Sequence, residues 1–391
     1  MSSLQKSPFP NTAQELLLKA ALMDGTAARD AWQHWRGMVD FETEVDGGSL
    51  RLLPLVYQNL LCLKVEDPLM LRLKGIYRKS WSNNHLLFRK TAQVLGLLHA
   101  NRIPTMVLKG IPLTLMVYRN HAVRPMYDMD IMVPAFAAKQ ALDVLTGDGW
   151  SVRSPHLLSF SLKFGRSIEL DDKTGHELDL HWHPVFESHA GGVQADFWDR
   201  AVELVVSGET TRTLCPSDQL FHTLVHGLRC NDDPPIRWVA DAVGIIGAED
   251  QPVDWQRLLE YTAKYRVTLQ VRQALAYLKE NFGCPVPEAV QKSLDAVKPG
   301  WAERIVYRHA RSAGDIAADN FRGRALAVYV GHIRQSEKRN LLSLHLDFFR
   351  YVYHLSRGRS RIRLFWNYLL LLIGKSNAEK YKTNEEASQT A

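Results

Sequence analysis

The chain has 391 residues, 46% apolar, 23% charged and 9% aromatic, proportions that exclude a disordered or collagenous chain and fit a folded one. At this length a single core is not expected to suffice, because hydrophobic cores stop growing near ~250 to 300 residues. The 48 Lys and Arg against 42 Asp and Glu leave a net charge of +6, but residues 301–391 hold 16 basic and 8 acidic residues, whereas residues 1–300 hold 32 and 34.

Bulk charge therefore says little about the first three quarters of the chain. A long polyanion would require positive charge around its cleft, so nucleic acid is an unlikely partner for that body. The four cysteines, Cys62, Cys215, Cys230 and Cys284, form no CxxC pair and suggest neither a zinc knuckle nor a disulfide framework. The opening residues carry no apolar run of signal-peptide length, and the run Tyr368 to Ile373 is far shorter than the ~20 residues of a spanning helix. A cytoplasmic setting is the expectation.

From Thr12 to about Ala100, apolar residues recur every three or four positions, as in AQELLLKAALM and HLLFRKTAQVLGLLHA, which predicts an N-terminal helical region over residues 1–100. At PTMVLKG the pattern becomes a short strand ending at Gly110, followed by a helix over IPLTLMVY. MDIMV at 129–133 reads as a second strand, and Pro134 opens an Ala-rich helix stopped near Gly147. Ser159–Leu170 and His176–Trp182 read as strands joined by the turn DDKTG.

Together these place a small α/β core at 101–214. Beyond Cys215 the helical period returns, with Ser217 and Asp254 as caps and Gly283 as a stop, giving a C-terminal helical region to 374 and a disordered tail at 375–391. The fold class expected is α+β: a small mixed sheet flanked by helical regions.

Asp128 and Asp130 stand one pleat repeat apart at the mouth of the second strand, so both side chains point to one face. Two such carboxylates suit a hard divalent cation that bridges to substrate phosphates. With 24 Asp in the chain, about 1.5 DxD spacings arise by chance, so the pair alone is weak. Its context is stronger. Lys109 and Gly110 end a strand just before a helix, where bare backbone N–H groups accept phosphate. Arg124 is a candidate bidentate phosphate ligand against a structural ion pair. HELDLHW supplies Asp179, with Glu177 and His181 on the same face.

LKG, seventeen residues, DMDIMV and then ELDLHWHP resemble the uncharacterised bacterial nucleotidyltransferase family of the DNA polymerase beta-like superfamily. The resemblance is strongest over residues 104–183 and extends more loosely over roughly 30–285. It implies a nucleotidyltransferase core that moves a nucleoside monophosphate from an NTP, ATP among them, to a hydroxyl, releasing pyrophosphate. The acceptor expected is a small molecule, saccharide, peptide or protein.

The resemblance also implies roles: Gly110 for the phosphate loop, Asp128 and Asp130 for metal, Asp179 as third carboxylate, and two Mg²⁺ ions, with Mn²⁺ as an alternative. Ile111 departs from the superfamily's second Gly or Ser, and Lys109 and Arg124 are expected to compensate at the phosphates. Glu177 and His181 are candidates for the acceptor side.

Other readings compete. His181 and His183 form an HxH, but with no third ligand at fixed spacing they read as packed or surface histidines beside Trp182 rather than a zinc pair. An antibiotic-kinase loop needs an Asn where Pro184 stands. Arg237 and Asp241, one helical turn apart, suggest a local ion pair, and His226 a packed helical histidine. A non-enzymatic reading rests on Arg357, Arg359, Arg361, Arg363 and Lys375 around an apolar stretch, suited to peripheral membrane or partner contact, against an ordinary helix with a basic face.

Overall fold

A computed structural model describes residues 8–155, 158, 161–162, 165–185, 193–228, 236–300, 303–304 and 307. The basic segment from Arg357 to Lys375, the helices expected beyond 307 and the polar tail lie outside the described residues. No described helix is long and apolar enough to cross a membrane.

The N-terminal helices are α1 (Thr12–Leu22), α2 (Gly25–Met38), α3 (Gly47–Leu50), α4 (Leu53–Cys62) and α5 (Met70–Ala100). The start of α1 is set by a capping box in which the Asn11 side chain accepts from Gln14 N–H and the Gln14 side chain accepts from Asn11 N–H. Next come α6 (Gly110–Pro112), continued as a π-helix over Leu113–Tyr118, and α7 (Ala138–Gly147). Helices α8 (Val193–Asp199), α9 (Pro216–Gly227), α10 (Arg237–Gly247), α11 (Trp255–Tyr265), α12 (Thr268–Phe282) and α13 (Glu288–Ala296) complete the described set.

The strands are β1 (Met106–Val107), β2 (Asp128–Met132), β3 (Ser151–Val152), β4 (Ser167–Asp171), β5 (Glu177–His181), β6 (Val202–Val206) and β7 (Glu209–Thr213). They form one mixed sheet in the order β3-β4-β5-β2-β1-β7-β6. β2 runs parallel to β5 and β1 parallel to β7, while the remaining neighbours are antiparallel. The expected α+β architecture is therefore present.

Pleating divides the sheet into two chemical faces. Val107, Met129, Ile131, Leu170, Leu178 and Leu180 pack in one apolar cluster with Leu87 and Leu95 of α5 and Leu142 and Leu145 of α7. Met106, Leu108 and Met132 belong to a second cluster, in which helices from both ends of the chain meet: Leu17, Trp32 and Leu53 with Phe221, Val239 and Leu275. The polar residues of β2 and β5 alternate with the first set, so they face the second group of helices.

Several elements differ from expectation. β4 begins only at Ser167, and Leu158, Ser161 and Leu162 are helical rather than extended. The β6–β7 hairpin was not anticipated; it turns through Ser207 and Gly208, both at positive φ. Helix α9 starts at Pro216 with Cys215 in the cap position, because proline fits the first turn where no N–H is needed. Ser217 Oγ instead accepts the Asp254 N–H at 2.6 Å. Asp254 does cap α11 by accepting from Arg257 N–H, and Gly283 ends α12 at φ 62°.

Helices α9 and α10 pack closely at Gly227, where an added Cβ would collide with Cβ and Cγ of Trp238. Those atoms sit near the backbone and cannot swing away. Gly227→Ala is expected to push the two helices apart at a cost of about 1–3 kcal/mol, as overpacking does. A denaturation midpoint unchanged from the parent would sink this assignment.

Candidate active site

The site begins where β1 leaves the sheet. Leu108 N–H bonds the Asp130 carbonyl at 2.9 Å, and the next residue, Lys109, turns sharply at φ 53°, ψ −111° to start α6. That backbone is sparsely populated for a residue with a Cβ and costs on the order of 1–3 kcal/mol. Gly110 must be small: a Cβ there would lie 2.6 Å from Met126 Sδ and 2.8 Å from Arg124 Nη1. The Met126 backbone is itself pinned, since buried Asn84 of α5 accepts from Met126 N–H and donates to the carbonyls of His121 and Arg124.

Parallel pairing of β2 with β5 sets Asp128 opposite Glu177, Asp130 opposite Asp179 and Met132 opposite His181. Asp130 is 3% exposed and His181 fully buried. His181 Nε2 lies 2.9 Å from Asp130 Oδ1 and 2.9 Å from Asp179 Oδ2, so the imidazole joins the two carboxylates. Lys109 Nζ forms an ion pair with Asp130 and stands 3.8 Å from Asp179 Oδ2.

Two carboxylates thus share two cationic partners in a buried corner. Burial opposes ionisation of Asp130, but Lys109 and then His181 outweigh it and hold the carboxyl below its ordinary value. Asp179 behaves likewise, with His181 the stronger partner. In return, against burial, Asp130 and Asp179 raise Lys109, and Asp179 and Asp130 raise His181. Asp128 is different: it is exposed at the strand mouth, and the nearby Asp130 charge, then burial, push it up.

The remaining predicted residues separate. The Arg124 side chain is buried and donates through Nε and Nη2 to the two oxygens of Asp241, each at 2.9 Å. Its guanidinium is thus committed to a structural pair, and only the Nη1 edge borders Gly110. Arg237, expected to pair with Asp241, donates instead to the Pro125 carbonyl at 2.6 Å, while Tyr118 Oη donates to Asp241 at 2.8 Å. Glu177 is exposed and paired with Arg153 at 3.0 Å. His181 cannot meet an acceptor from its position beneath the carboxylates, which corrects its expected place. His183, pushed down to about 4 by burial, is outside the carboxylate group.

Asp130, Asp179 and His181 offer ligand atoms within 4.8 Å of one another and could hold a metal ion. The donor set fits a divalent cation: two carboxylates suit Mg²⁺ or Mn²⁺, and the imidazole adds affinity for transition ions. Asp179 Oδ1 and His181 Nδ1 are buried without a hydrogen-bond partner. An orphaned carboxylate oxygen at such a corner is the feature a cation would satisfy. Asp128, on the same face at the mouth, is not one of the three grouped residues.

A family model described as uncharacterised nucleotidyltransferase matches residues 49–283. Among solved structures, a crystal structure of an antigenic nucleotidyltransferase-like protein from Paracoccidioides brasiliensis aligns at 15% identity and a TM-score of 0.33. The alignment covers 55% of this chain and 93% of that one. No curated protein matches the chain.

Proposed function

The chain belongs to the uncharacterised nucleotidyltransferase family, and from that membership we propose that it transfers a nucleoside monophosphate from an NTP to an acceptor hydroxyl, releasing pyrophosphate, with a divalent cation, Mg²⁺ foremost. The observation that carries this reading is the in-register pair Asp130 and Asp179, held together by His181 beside the Lys109–Gly110 turn. Acceptors of small-molecule, saccharide, peptide or protein type fit the near-neutral charge of residues 1–300.

Asp130 and Asp179 are the ligands for the cation, with Asp128 at the mouth able to approach the nucleotide side. When bound, the cation supplies charge neutralisation for the phosphates and acidifies a hydroxyl. The chain's own groups do the rest. Gly110 lets phosphate oxygens approach the backbone, and Lys109 Nζ offsets charge on the departing pyrophosphate. Asp179, ionised and with Oδ1 free of hydrogen bonds, orients the attacking hydroxyl and receives its proton. The oxygen attacks the α-phosphorus in line as the bond to the β-phosphate breaks.

The decisive assay supplies purified protein, Mg²⁺, each NTP labelled at the α-phosphate and a broad acceptor screen. Label should move to an acceptor with pyrophosphate released, and chelation should abolish transfer. Label arriving from γ-labelled NTP instead would replace nucleotidyl transfer by phosphoryl transfer. Turnover unaffected by chelator would remove the cation from the reading.

A further inference from the structure

Because Arg124 is committed to Asp241, the phosphate side of the site lacks a donor that the sequence alone assigned to it. Lys109 Nζ is engaged by Asp130, and the two carboxylates can only accept. A triphosphate carries several anionic oxygens and needs donors that do not compete for Asp130 and Asp179.

His222 of α9 has the required properties. It comes from the helices covering the carboxylate face of the sheet, is 4% exposed, and its Nε2 is buried without a hydrogen-bond partner. Its electrostatic neighbours are site groups: Lys109, His181, Asp130 and Arg166. The ring is steadied by His226, one helical turn on, with centroids 5.6 Å apart and planes at 21°. A buried orphan nitrogen in a well-packed helix costs stability unless something else completes it. Burial, with Lys109 and His181 adding to it, holds the imidazole neutral, so it has one N–H to give and no charge to drive Lys109 away.

We propose that His222 is a nucleotide-contacting residue whose Nε2–H donates to a phosphate oxygen of the bound NTP, so that the C-terminal helices complete the phosphate subsite. The assignment rests on the nucleotidyltransferase reading above. It also gives Lys109, Arg166 and His222 a common orientation: donors and positive charge on one side of the corner, carboxylates on the other. A phosphate chain bridging the two sides would meet complementary groups at both ends.

Inorganic tripolyphosphate with Mg²⁺ is the probe, because it is independent of base and acceptor. Titration by calorimetry should show His222→Phe binding about tenfold more weakly than the parent, the effect of one hydrogen bond to a charged oxygen. His222→Gln, whose Nε2 reaches a similar place, should recover most of the loss. Thermal melts check that both variants fold. In the parent, the His222 ring proton followed by nitrogen-edited NMR should shift on adding the probe and stay sharp, a readout independent of any variant.

Equal affinity in parent and folded variants, with an unmoved His222 signal, overturns the proposal while leaving the nucleotidyltransferase reading intact. A parent chain that binds neither the probe nor any NTP, with Mg²⁺ or Mn²⁺, overturns both. A weakened His222→Phe that His222→Gln does not rescue, without an NMR shift, assigns His222 to packing and also overturns the proposal.

Discussion

Asp130→Asn is expected to reduce nucleotidyl transfer by roughly a thousandfold or more, a loss of the size seen when a group central to charge stabilisation is removed. The amide keeps the volume of the carboxyl and can still accept from His181 Nε2, so the sheet register should survive. It cannot neutralise Lys109, whose buried ammonium is left with Asp179 at 3.8 Å as its remaining carboxylate. Breaking one side of a buried pair costs about 3–5 kcal/mol, and the partial cover from Asp179 places the expected loss near the lower figure.

The pH dependence carries a sign that checks the cause. Asp130 has a folded-state value below its unfolded one of ~3.9, so its contribution is present above that pH and is lost as pH falls through the folded value. The stability gap between parent and Asp130→Asn should therefore be full at neutral pH and should close in the acid range below ~4. Denaturant melts at pH 7 and pH 3 read both numbers. A gap that persists unchanged in acid would mean that packing, not charge, is lost.

The second large effect belongs to Asp241→Ala. This carboxylate accepts from Arg124 at both oxygens and from Tyr118, and Arg124 and Asp241 are each buried. Removing it strands a guanidinium in the interior, for an expected cost of about 3–5 kcal/mol. Arg237→Ala should cost far less, about 1 kcal/mol, because it removes mainly one hydrogen bond to the Pro125 carbonyl. Because Nη1 of Arg124 lies against Gly110, Asp241→Ala should also weaken nucleotide binding even where the protein remains folded. Equal melts for the two variants would contradict the long-range pairing.

What could be read from the sequence followed from short-range periodicity. The alternation in DMDIM and ELDLH places Asp128, Asp130 and Asp179 on one face, and strand pairing brings the last two opposite each other. The Lys109–Gly110 turn was visible as a strand ending in glycine before a helical run. The partner of Arg124 was not, because Asp241 lies 117 positions away and no local spacing links them. His181 was visible as a residue but not as a bridge, since its contact with both carboxylates depends on the register of β2 against β5.

Other differences have local causes. The β6–β7 hairpin did leave a signal, Ser-Gly between two alternating runs, in a stretch otherwise read only as the end of the core. His222 gave no signal beyond a histidine in an apolar helix. Only the packing of α9 over the carboxylate face sets it apart, and that packing depends on which helices share the second apolar cluster.

The position of β1 also bears on how the chain acquires this shape. That two-residue strand lies between β2, close behind it in sequence, and β7, whose Thr211 and Thr213 bond Thr105 and Val107 across 106 positions. Ribosomes add about 5–20 residues per second, so β1 waits on the order of 5–20 s for its second neighbour. During that interval one edge of the future central strand, and the lysine turn attached to it, has only β2 to hold it. Assembly is therefore non-local and slow at the point where the chemistry is built, and a nascent chain is most open to misassociation just before the hairpin emerges.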